Sequence, residues 1–266
     1  MKLTAIVQDN RTIVAAVEPE GLRPLGEMEA FWSDPAAKMA QRPGDLIDPS
    51  QVRQVPAVPR TAQVICVGLN YRHHAEEAGM PIPSVPVIFS RWARTLTTDG
   101  DAAPAIEEKF DWEGELGVVI GRRMFRVDAA EGLDGVFGYV AFNDLSGRTF
   151  QTQTSQYTMG KNSDASGPMS AITSRDAVGD PAKGLRLITR VNDAVKQDST
   201  TADMIFSVGE IIAFITQVMT LEPGDLIVTG TPSGVGMALG QFLKPGDVVE
   251  VEIEGVGKVR TPIVAP

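Results

Sequence analysis

Short β-type runs separated by glycine and proline are the feature that most restricts how this chain can fold. Beyond residue 60, branched and aromatic residues cluster in stretches too short for long helices. These stretches are VICVG, PVIFS, ELGVVIG, VFGYVAF, LRLITRVN, DLIVTG and DVVEVEIEG. The chain has 26 glycines and 18 prolines, which predicts many turns between strands. The strands do not alternate regularly with helices, so we predict a mixed α+β, mainly β, fold and not a doubly wound sheet.

The first part of the chain has a different pattern. KLTAIV and TIVAAV predict two strands joined by the polar turn QDNR, and EMEAFW predicts a helix. The stretch that begins at Pro49, PSQVRQVPAVPRTAQ, is rich in proline and polar residues and is predicted to be a linker. We therefore expect a small N-terminal α+β domain over residues 1–55 and a larger domain over residues 56–266.

One helix is strongly indicated after residue 206. Ser207 and Glu210 form an S-x-x-E capping box, which satisfies backbone N–H groups at a helix start. Apolar side chains then recur on one face at helical spacing, and Pro223-Gly224 is predicted to end the helix. The apolar residues are Ile211, Phe214, Ile215, Val218 and Met219.

Composition narrows the classes of function. The formal net charge is −10, which argues against nucleic acid or an anionic membrane surface as a partner. The sequence has no uninterrupted apolar run of about 18 residues, and its N-terminus turns polar too early for a secretory signal. Cys66, the single cysteine, lies in an apolar run and is predicted to be a buried, inert thiol. We expect a cytoplasmic protein.

Acids in two segments are candidates for a metal site. In FDWEGELGVVIG, a strand would place Asp111, Glu113 and Glu115 on one face, where like charges repel each other. Either these carboxylates line a solvated edge or a divalent cation lies between them. Asp144 ends the run GYVAFND, and by itself such an Asn-Asp pair is more often part of a turn. Hard cations such as Mg²⁺ prefer oxygen ligands, and a zinc site is not expected with so few nitrogen and sulfur donors.

Taken together, the segments resemble the fumarylacetoacetate hydrolase family. The resemblance extends from about Cys66 to Ile263 and rests on the order of several stretches. They include VGLNYRHHAEEAG, FDWEGELGVVIG, GYVAFNDLSGRTFQ, KNSDASGP and LEPGDLIVTGTPSGVG. The resemblance implies a β-roll, usually dimeric, with Mg²⁺ or Mn²⁺ bound by the two glutamates of an E-x-E motif and a later aspartate. In this sequence those residues are Glu113, Glu115 and Asp144.

The resemblance also implies catalytic residues around that metal. A family histidine in the loop after G-L-N-Y pairs with a glutamate three residues on, which corresponds to His74 and Glu77. A carboxylate at i+3 on a helix can orient an imidazole that acts as a general base. His73 has no counterpart in the motif and is expected at the surface. Lys161 corresponds to a lysine that faces the metal-bound ligand and stabilises an enolate or oxyanion, although alone it would suggest a solvated surface lysine.

Further positions correspond to substrate contacts of the family. Arg148 and Gln151 match an arginine and a glutamine that contact the carboxylate end of the substrate, and Thr231 matches a cradle for that carboxylate. The family commonly has an acid after this arginine, whereas Thr149 follows it here. Many relatives have lysine where Arg91 stands. A guanidinium is planar and presents several N–H donors, whereas an ammonium is a compact point charge. We therefore expect Arg91 to alter specificity for the far end of the substrate.

These correspondences favour a metal-dependent hydrolase that cleaves a C–C bond in an acylpyruvate-type 2,4-dioxo acid, giving pyruvate and a carboxylate. The protein is expected to be a homodimer. The same site could instead decarboxylate oxaloacetate or isomerise a hydroxy-diene dioate. A non-catalytic binding protein is the remaining alternative, but it would be expected to lose a metal ligand or the histidine–glutamate pair. Neither is lost here.

Overall fold

The computed structural model of the chain describes residues 1–41 and 44–266. The strands in these residues are β1 (Lys2–Gln8), β2 (Arg11–Glu18), β3 (Gly21–Glu27), β4 (Arg53–Val55), β5 (Gln63–Gly68), β6 (Val87–Trp92), β7 (Leu96–Thr97), β8 (Ala103–Pro104), β9 (Phe110–Asp111), β10 (Gly114–Ile120), β11 (Val136–Asn143), β12 (Ser146–Gly147), β13 (Gly167–Pro168), β14 (Ile172–Ser174), β15 (Arg186–Val191), β16 (Ala194–Thr200), β17 (Leu226–Val228), β18 (Val248–Ile253) and β19 (Gly257–Val264). The helices are α1 (Met28–Ser33), α2 (Pro35–Gln41), α3 (Arg72–Glu77), α4 (Ala129–Asp134), α5 (Arg148–Gln151), α6 (Thr158–Lys161), α7 (Arg175–Val178), α8 (Val208–Thr216) and α9 (Gly236–Leu239).

A large sheet positions the segments that carry the candidate acids. Its strands follow the order β3-β2-β1-β14-β11-β10-β17-β5-β6, and β4 pairs with β1 at the side of this path. β10 pairs antiparallel with both β11 and β17, and β5 runs parallel to β17. The start of β10 and the ends of β11, β17 and β5 therefore meet at one edge of the sheet.

Apolar side chains cover both faces of β10, and every residue of this strand is buried. Leu116 and Val118 face a core cluster to which α8 contributes, whereas Val119 faces the cluster that contains Phe31 and Trp32. A strand buried on both faces has a nearly continuous apolar sequence, as ELGVVIG does. The two glutamates at the start of this strand, Glu113 and Glu115, are buried as well.

A second sheet packs against the first. Its strands follow the order β16-β15-β18-β19-β8, and Val251 and Ile253 of β18 belong to the same core cluster as Leu116. This packing places β15 and β16 beside the first residues of β10, since a Cβ atom added at Gly114 would lie 2.1 Å from Thr189 Oγ1 of β15. Strands dominate over helices, and the predicted mixed α+β, mainly β, class is confirmed.

The N-terminal segment extends the large sheet. β1 pairs antiparallel with β14, with Leu3 opposite Ile172, and Trp32 packs edge-on against Phe137 at 5.1 Å between ring centroids. Part of the predicted linker is ordered as β4, because its backbone pairs with β1. The division into residues 1–55 and 56–266 stays a prediction, and the first of these segments shares a sheet and a core with the second.

The predicted helix after residue 206 is α8, and its capping box is confirmed. The Ser207 hydroxyl accepts the Glu210 N–H, while the Glu210 carboxylate accepts the Ser207 N–H at 2.8 Å. The prediction that the helix continues to Pro223 is wrong. The helix ends at Thr216, because Leu221 pairs with Met124 through two backbone hydrogen bonds and the chain must leave the helix to reach it. Among the described residues, neither α8 nor any other helix is long and apolar enough to cross a membrane.

Candidate metal centre

Three buried carboxylates meet at the edge where β10 begins. Oxygen atoms of Glu113, Glu115 and Asp144 all lie within 4.8 Å of one another. The two glutamates flank Gly114 at the start of β10, and Asp144 directly follows β11, which is the antiparallel neighbour of β10. The Asp144 N–H donates to the Glu113 carbonyl at 2.8 Å and so holds the two segments together. The structure thus brings together the three residues predicted as metal ligands.

Asp111 does not join this cluster, so the expectation that all three acids of FDWEGE share one strand face is wrong. The strand is interrupted between Asp111, which ends β9, and Gly114, which begins β10. The Asp111 carboxylate accepts the N–H groups of Gly236 and Met237 at 2.7 and 2.8 Å, and it accepts Arg148 Nε at 2.8 Å. Asp111 therefore anchors Arg148 beside the cluster. The spacing of two residues indicated that Asp111 lies near Glu113, but it did not indicate that Asp111 anchors Arg148.

Two cations compensate the charge of Glu113. Lys161 Nζ lies 2.7 Å from Glu113 Oε2 and 2.6 Å from Asp144 Oδ2, and Arg148 Nη1 lies 2.5 Å from Glu113 Oε1. Burial would raise the pKa of Glu113, but Lys161 and Arg148 outweigh it and lower this pKa to about 2. Burial would also lower the pKa of Lys161, but Asp144 and Glu113 outweigh it and raise that pKa. Lys161 is thus a buried ammonium and not a solvated surface lysine.

Glu115 forms no ion pair with these cations. Its carboxyl group accepts the Gly230 N–H at 2.5 Å, and burial, followed by the charges of Asp144 and Glu113, raises its pKa well above the ordinary value. Within the described part of the site, four buried acids face three buried cations, so full ionisation would leave one excess negative charge, which a bound cation would neutralise. The acids are Asp111, Glu113, Glu115 and Asp144, and the cations are Arg91, Arg148 and Lys161. An all-oxygen donor set with excess negative charge fits a hard divalent cation.

The raised pKa of Glu115 gives metal binding a definite pH dependence. Glu115 must lose its proton before it can act as a ligand, and that proton is bound more tightly than the ordinary glutamate value of 4.5 implies. We therefore expect the affinity for Mn²⁺ to rise as pH increases from that value until the pKa of Glu115 is passed, with release of a proton. Calorimetric Mn²⁺ titrations at several pH values, in buffers of different ionisation enthalpy, measure both quantities. An affinity that is independent of pH over this range would contradict the assignment of Glu115.

Arg91 contacts the candidate cluster directly, a position that the sequence did not indicate. Its guanidinium is completely buried and donates to Asp144 Oδ1 from Nε at 2.7 Å. The same side chain also donates to Ser166 Oγ at 2.7 Å and to the Leu145 carbonyl at 2.9 Å. Arg91 therefore holds the candidate ligand Asp144 in place, and its predicted effect on the far end of the substrate stays a prediction.

The predicted carboxylate-binding residues lie around the same cluster. Gln151 Oε1 accepts Arg148 Nη1 at 2.8 Å, so these two side chains form a unit one turn apart on α5. Asp111 and Glu113 provide the carboxylate support for Arg148 that Thr149 cannot provide. Thr231 is buried as well, and its hydroxyl donates to the Gly114 carbonyl at 2.9 Å. The structure therefore places Arg148 and Thr231 beside the candidate metal ligands and holds Gln151 there through Arg148.

The histidine loop forms the short helix α3, as the i and i+3 pairing requires. His74 Nδ1 lies 3.3 Å from Glu77 Oε2, and the Glu77 carboxylate also accepts the Gly234 N–H at 2.9 Å. A positive charge on His74 would be the smallest of the influences that lower the pKa of Glu113, so the imidazole lies within electrostatic range of the carboxylate cluster. Because Nδ1 is directed at Glu77, the other ring nitrogen, Nε2, is the atom that can meet a water or a substrate.

The other two residues weighed from the sequence lie outside this centre. The side chain of His73 is 67% exposed and its Nδ1 lies 3.0 Å from Asp203 Oδ2, so its predicted surface position is confirmed. Cys66 is buried on β5, and burial raises the pKa of its thiol. A thiol with a raised pKa is a poor nucleophile, which agrees with the prediction of an inert cysteine.

A buried, all-oxygen carboxylate centre beside an oriented histidine is typical of metal-dependent enzymes that act on polar small molecules. The family model described as fumarylacetoacetate (FAA) hydrolase C-terminal matches residues 63–264. The chain belongs to the fumarylacetoacetate hydrolase family.

Individual relatives span most of the chain. An uncharacterized protein of Archaeoglobus fulgidus is 42% identical over 211 residues, which cover 79% of this chain and 80% of that protein. A solved structure named 2-hydroxyhepta-2,4-diene-1,7-dioate isomerase from Mycobacterium marinum is 32% identical, with a TM-score of 0.79 over 100% of this chain and 98% of that one. A structure of fumarylpyruvate hydrolase from Pseudomonas aeruginosa, in complex with Mn²⁺ and pyruvate, is 27% identical, with a TM-score of 0.71 over 80% of this chain and 92% of that one. This chain is thus similar to proteins named for two different reactions.

Proposed function

We propose that this protein is a divalent-metal-dependent hydrolase that cleaves a C–C bond in an acylpyruvate-type 2,4-dioxo acid. The products would be pyruvate, formed as its enolate, and a carboxylate. The observation that supports hydrolysis most strongly is the pairing of His74 with Glu77, because an oriented imidazole is the group needed to activate water. The similarity to a fumarylpyruvate hydrolase that binds Mn²⁺ and pyruvate also supports this proposal.

Glu113, Glu115 and Asp144 would hold Mg²⁺ or Mn²⁺, since their oxygens converge and a cation would stabilise the ionised form of Glu115, which burial and its neighbours disfavour. When bound, the cation supplies Lewis-acid polarisation of the 2-oxo acid. His74 would accept a proton from water at Nε2 while Glu77 stabilises the resulting imidazolium through Nδ1. The water oxygen would form a bond to the distal carbonyl carbon as the π pair of that carbonyl moves to its oxygen. When the carbonyl group re-forms, the C–C bond would break with its electron pair passing to the pyruvate enolate, and the enolate would take up the proton released by His74 to give pyruvate.

Other side chains would bind and stabilise the substrate. Arg148, Gln151 and Thr231 lie close enough to the ligands to position the carboxylate of a 2-oxo acid. The ammonium of Lys161 lies against both Glu113 and Asp144, where it can stabilise an enolate oxygen as negative charge develops. These are preorganised charges in a buried setting, where electrostatic interactions are strong.

Replacing Lys161 by alanine should lower turnover about 10²- to 10³-fold, which is the range found when one preorganised electrostatic contact is removed. Mn²⁺ should still bind, because the three carboxylates remain. Turnover of an acylpyruvate at saturating Mn²⁺ measures the effect, and circular dichroism checks that the variant is folded. Lys183→Ala, which removes an exposed lysine, is the matched control. Near-normal turnover of Lys161→Ala would remove Lys161 from the mechanism.

A second candidate function uses the same ligands without water. Isomerisation of a hydroxy-diene dioate is favoured by the similarity to the Mycobacterium marinum isomerase, and decarboxylation of oxaloacetate requires the same enolate stabilisation. Neither reaction consumes water. Hydrolysis should therefore require the His74–Glu77 pair to activate water, whereas isomerisation and decarboxylation should not require it for that purpose.

A side-by-side assay tests the proposal. Purified protein with Mg²⁺ or Mn²⁺ is incubated with several acylpyruvates, with oxaloacetate and with a hydroxy-diene dioate. We expect pyruvate and a carboxylate in equal amounts from the acylpyruvates, and ¹⁸O from labelled water in the new carboxylate. Isomerised or decarboxylated products alone would favour the second candidate. Inactivity on the whole panel would support a non-catalytic binding protein.

The assembly and location of the protein are further parts of this proposal. A homodimer is proposed from the family resemblance, and light scattering of the purified protein measures it. A cytoplasmic location is proposed because the single cysteine, Cys66, is unpaired and buried.

A further inference from the structure

Gln197 lies beside the candidate metal ligands but has no part in the proposed reaction. It belongs to β16 in the second sheet, and its side chain is almost completely buried, with an exposed fraction of 1% for the residue. A buried amide must satisfy both its oxygen and its nitrogen. The hydrogen-bond partners of the Gln197 amide therefore show which segments this side chain holds in place.

Both ends of the Gln197 amide contact the segments that carry the site. Oε1 accepts the Gly114 N–H at 2.9 Å, and Nε2 donates to Thr231 Oγ1 at 2.8 Å and to the Pro232 carbonyl at 2.9 Å. The Thr231 hydroxyl in turn donates to the Gly114 carbonyl at 2.9 Å. The N–H and the C=O of Gly114 are thus both held by side chains from other segments, and those two side chains are hydrogen-bonded to each other.

Gly114 is the residue between the two glutamate ligands, and it is closely surrounded. A Cβ atom at this position would lie 2.1 Å from Thr189 Oγ1 and 3.2 Å from Gln197 Oε1. The peptide groups on either side of Gly114 determine the directions in which Glu113 and Glu115 leave the backbone. Gly230, which directly precedes Thr231, donates its N–H to the Glu115 carboxyl group. Hydrogen bonds that fix the backbone of Gly114 therefore also fix the directions of the Glu113 and Glu115 side chains.

We infer that Gln197 is a positioning residue that sets the directions of Glu113 and Glu115 and so tunes metal affinity. This inference rests on the proposed metal site and adds to it a residue outside the ligand set. Removing a side chain that supports metal ligands typically weakens binding by about 10- to 100-fold. We expect an effect of this size when Gln197 loses its hydrogen bonds.

The test compares Gln197→Met with Thr189→Val. Methionine keeps most of the side-chain volume but removes all three hydrogen bonds of the amide. Thr189 is the cross-strand partner of Gln197 and is equally buried, but its hydroxyl has no hydrogen-bond partner among the described residues, so valine should leave the network intact. Mn²⁺ is titrated calorimetrically into each metal-free variant, and thermal unfolding without metal is recorded in parallel. The expected result is about 10- to 100-fold weaker Mn²⁺ binding for Gln197→Met and unchanged binding for Thr189→Val.

Two further measurements separate positioning from a general loss of structure. The EPR spectrum of bound Mn²⁺ should change shape in Gln197→Met, because the ligand directions change. Thr231→Val reaches the other side of Gly114 and should also weaken Mn²⁺ binding, and the effects of the two substitutions should be less than additive because they share one network. If Gln197→Met does not fold, the Mn²⁺ affinity of Thr231→Val decides between the two outcomes.

The failures of this inference and of the proposed function are distinguishable. Wild-type affinity and an unchanged EPR spectrum in Gln197→Met, or wild-type affinity in Thr231→Val if the first variant does not fold, would overturn the inference alone. Failure of the wild-type chain to bind Mn²⁺ would overturn the proposed metal site together with the inference.

Discussion

Replacing Asp144 by alanine should abolish Mn²⁺ binding and destabilise the fold at the same time. The substitution removes one of three candidate ligands. It also leaves the buried Arg91 without a carboxylate partner and Lys161 with Glu113 alone. Breaking a buried ion pair by removing one partner costs about 3–5 kcal/mol, because the remaining charge stays desolvated. Urea unfolding of the metal-free variant measures the loss of stability, and calorimetric titration measures the loss of Mn²⁺ binding.

Two controls make this result specific. Asp164→Ala removes an exposed aspartate in the loop after α6 and should change neither quantity. A double variant that also replaces Arg91 by methionine should recover part of the stability, because the stranded guanidinium is then removed, but it should not recover Mn²⁺ binding. An Asp144→Ala variant with wild-type stability and Mn²⁺ affinity would show that Asp144 is neither a ligand nor the partner of Arg91.

Replacing His74 by alanine should lower hydrolytic turnover by about 10²- to 10⁴-fold, which is the usual contribution of a positioned general base. Mn²⁺ affinity and the unfolding free energy should stay close to wild type, because His74 is partly exposed and does not belong to the carboxylate cluster. Turnover is measured as pyruvate release from an acylpyruvate, and Mn²⁺ binding is measured separately.

His73→Ala is the matched control for this substitution. It removes the neighbouring imidazole, which is exposed and pairs with Asp203. Turnover of His73→Ala should stay near wild type. If His74→Ala retains activity on an acylpyruvate, water activation by this residue is ruled out. If it loses hydrolysis but retains decarboxylation of oxaloacetate, the enolate chemistry is independent of the histidine.

Local patterns in the sequence were sufficient to predict the class of fold, whereas the three candidate ligands were implied by the family resemblance. The folded chain brings Glu113, Glu115 and Asp144 together because antiparallel pairing places the start of one strand beside the end of its neighbour. The capping box at Ser207 and Glu210 was also readable, since it depends on residues only three positions apart. Interactions between residues this close in sequence can be predicted from the residue types and their spacing.

Features that depend on distant segments could not be predicted in the same way. Arg91 precedes Asp144 by 53 positions, and only the folded chain shows that its guanidinium contacts that carboxylate. The end of α8 at Thr216 is set by the pairing of Leu221 with Met124, which competes with the helical spacing of Val218 and Met219. Tertiary contacts override local preference at both places.

The central claim is that one divalent cation is bound by three carboxylates that are distant in sequence. Crystals grown with MnCl₂ and measured at the manganese absorption edge test it directly, because the anomalous signal locates the metal itself. A single strong peak within coordination distance of Glu113, Glu115 and Asp144 is the result we predict. Manganese located elsewhere, or an ordered site in which these side chains face only Lys161 and the two arginines at saturating MnCl₂, would contradict the account.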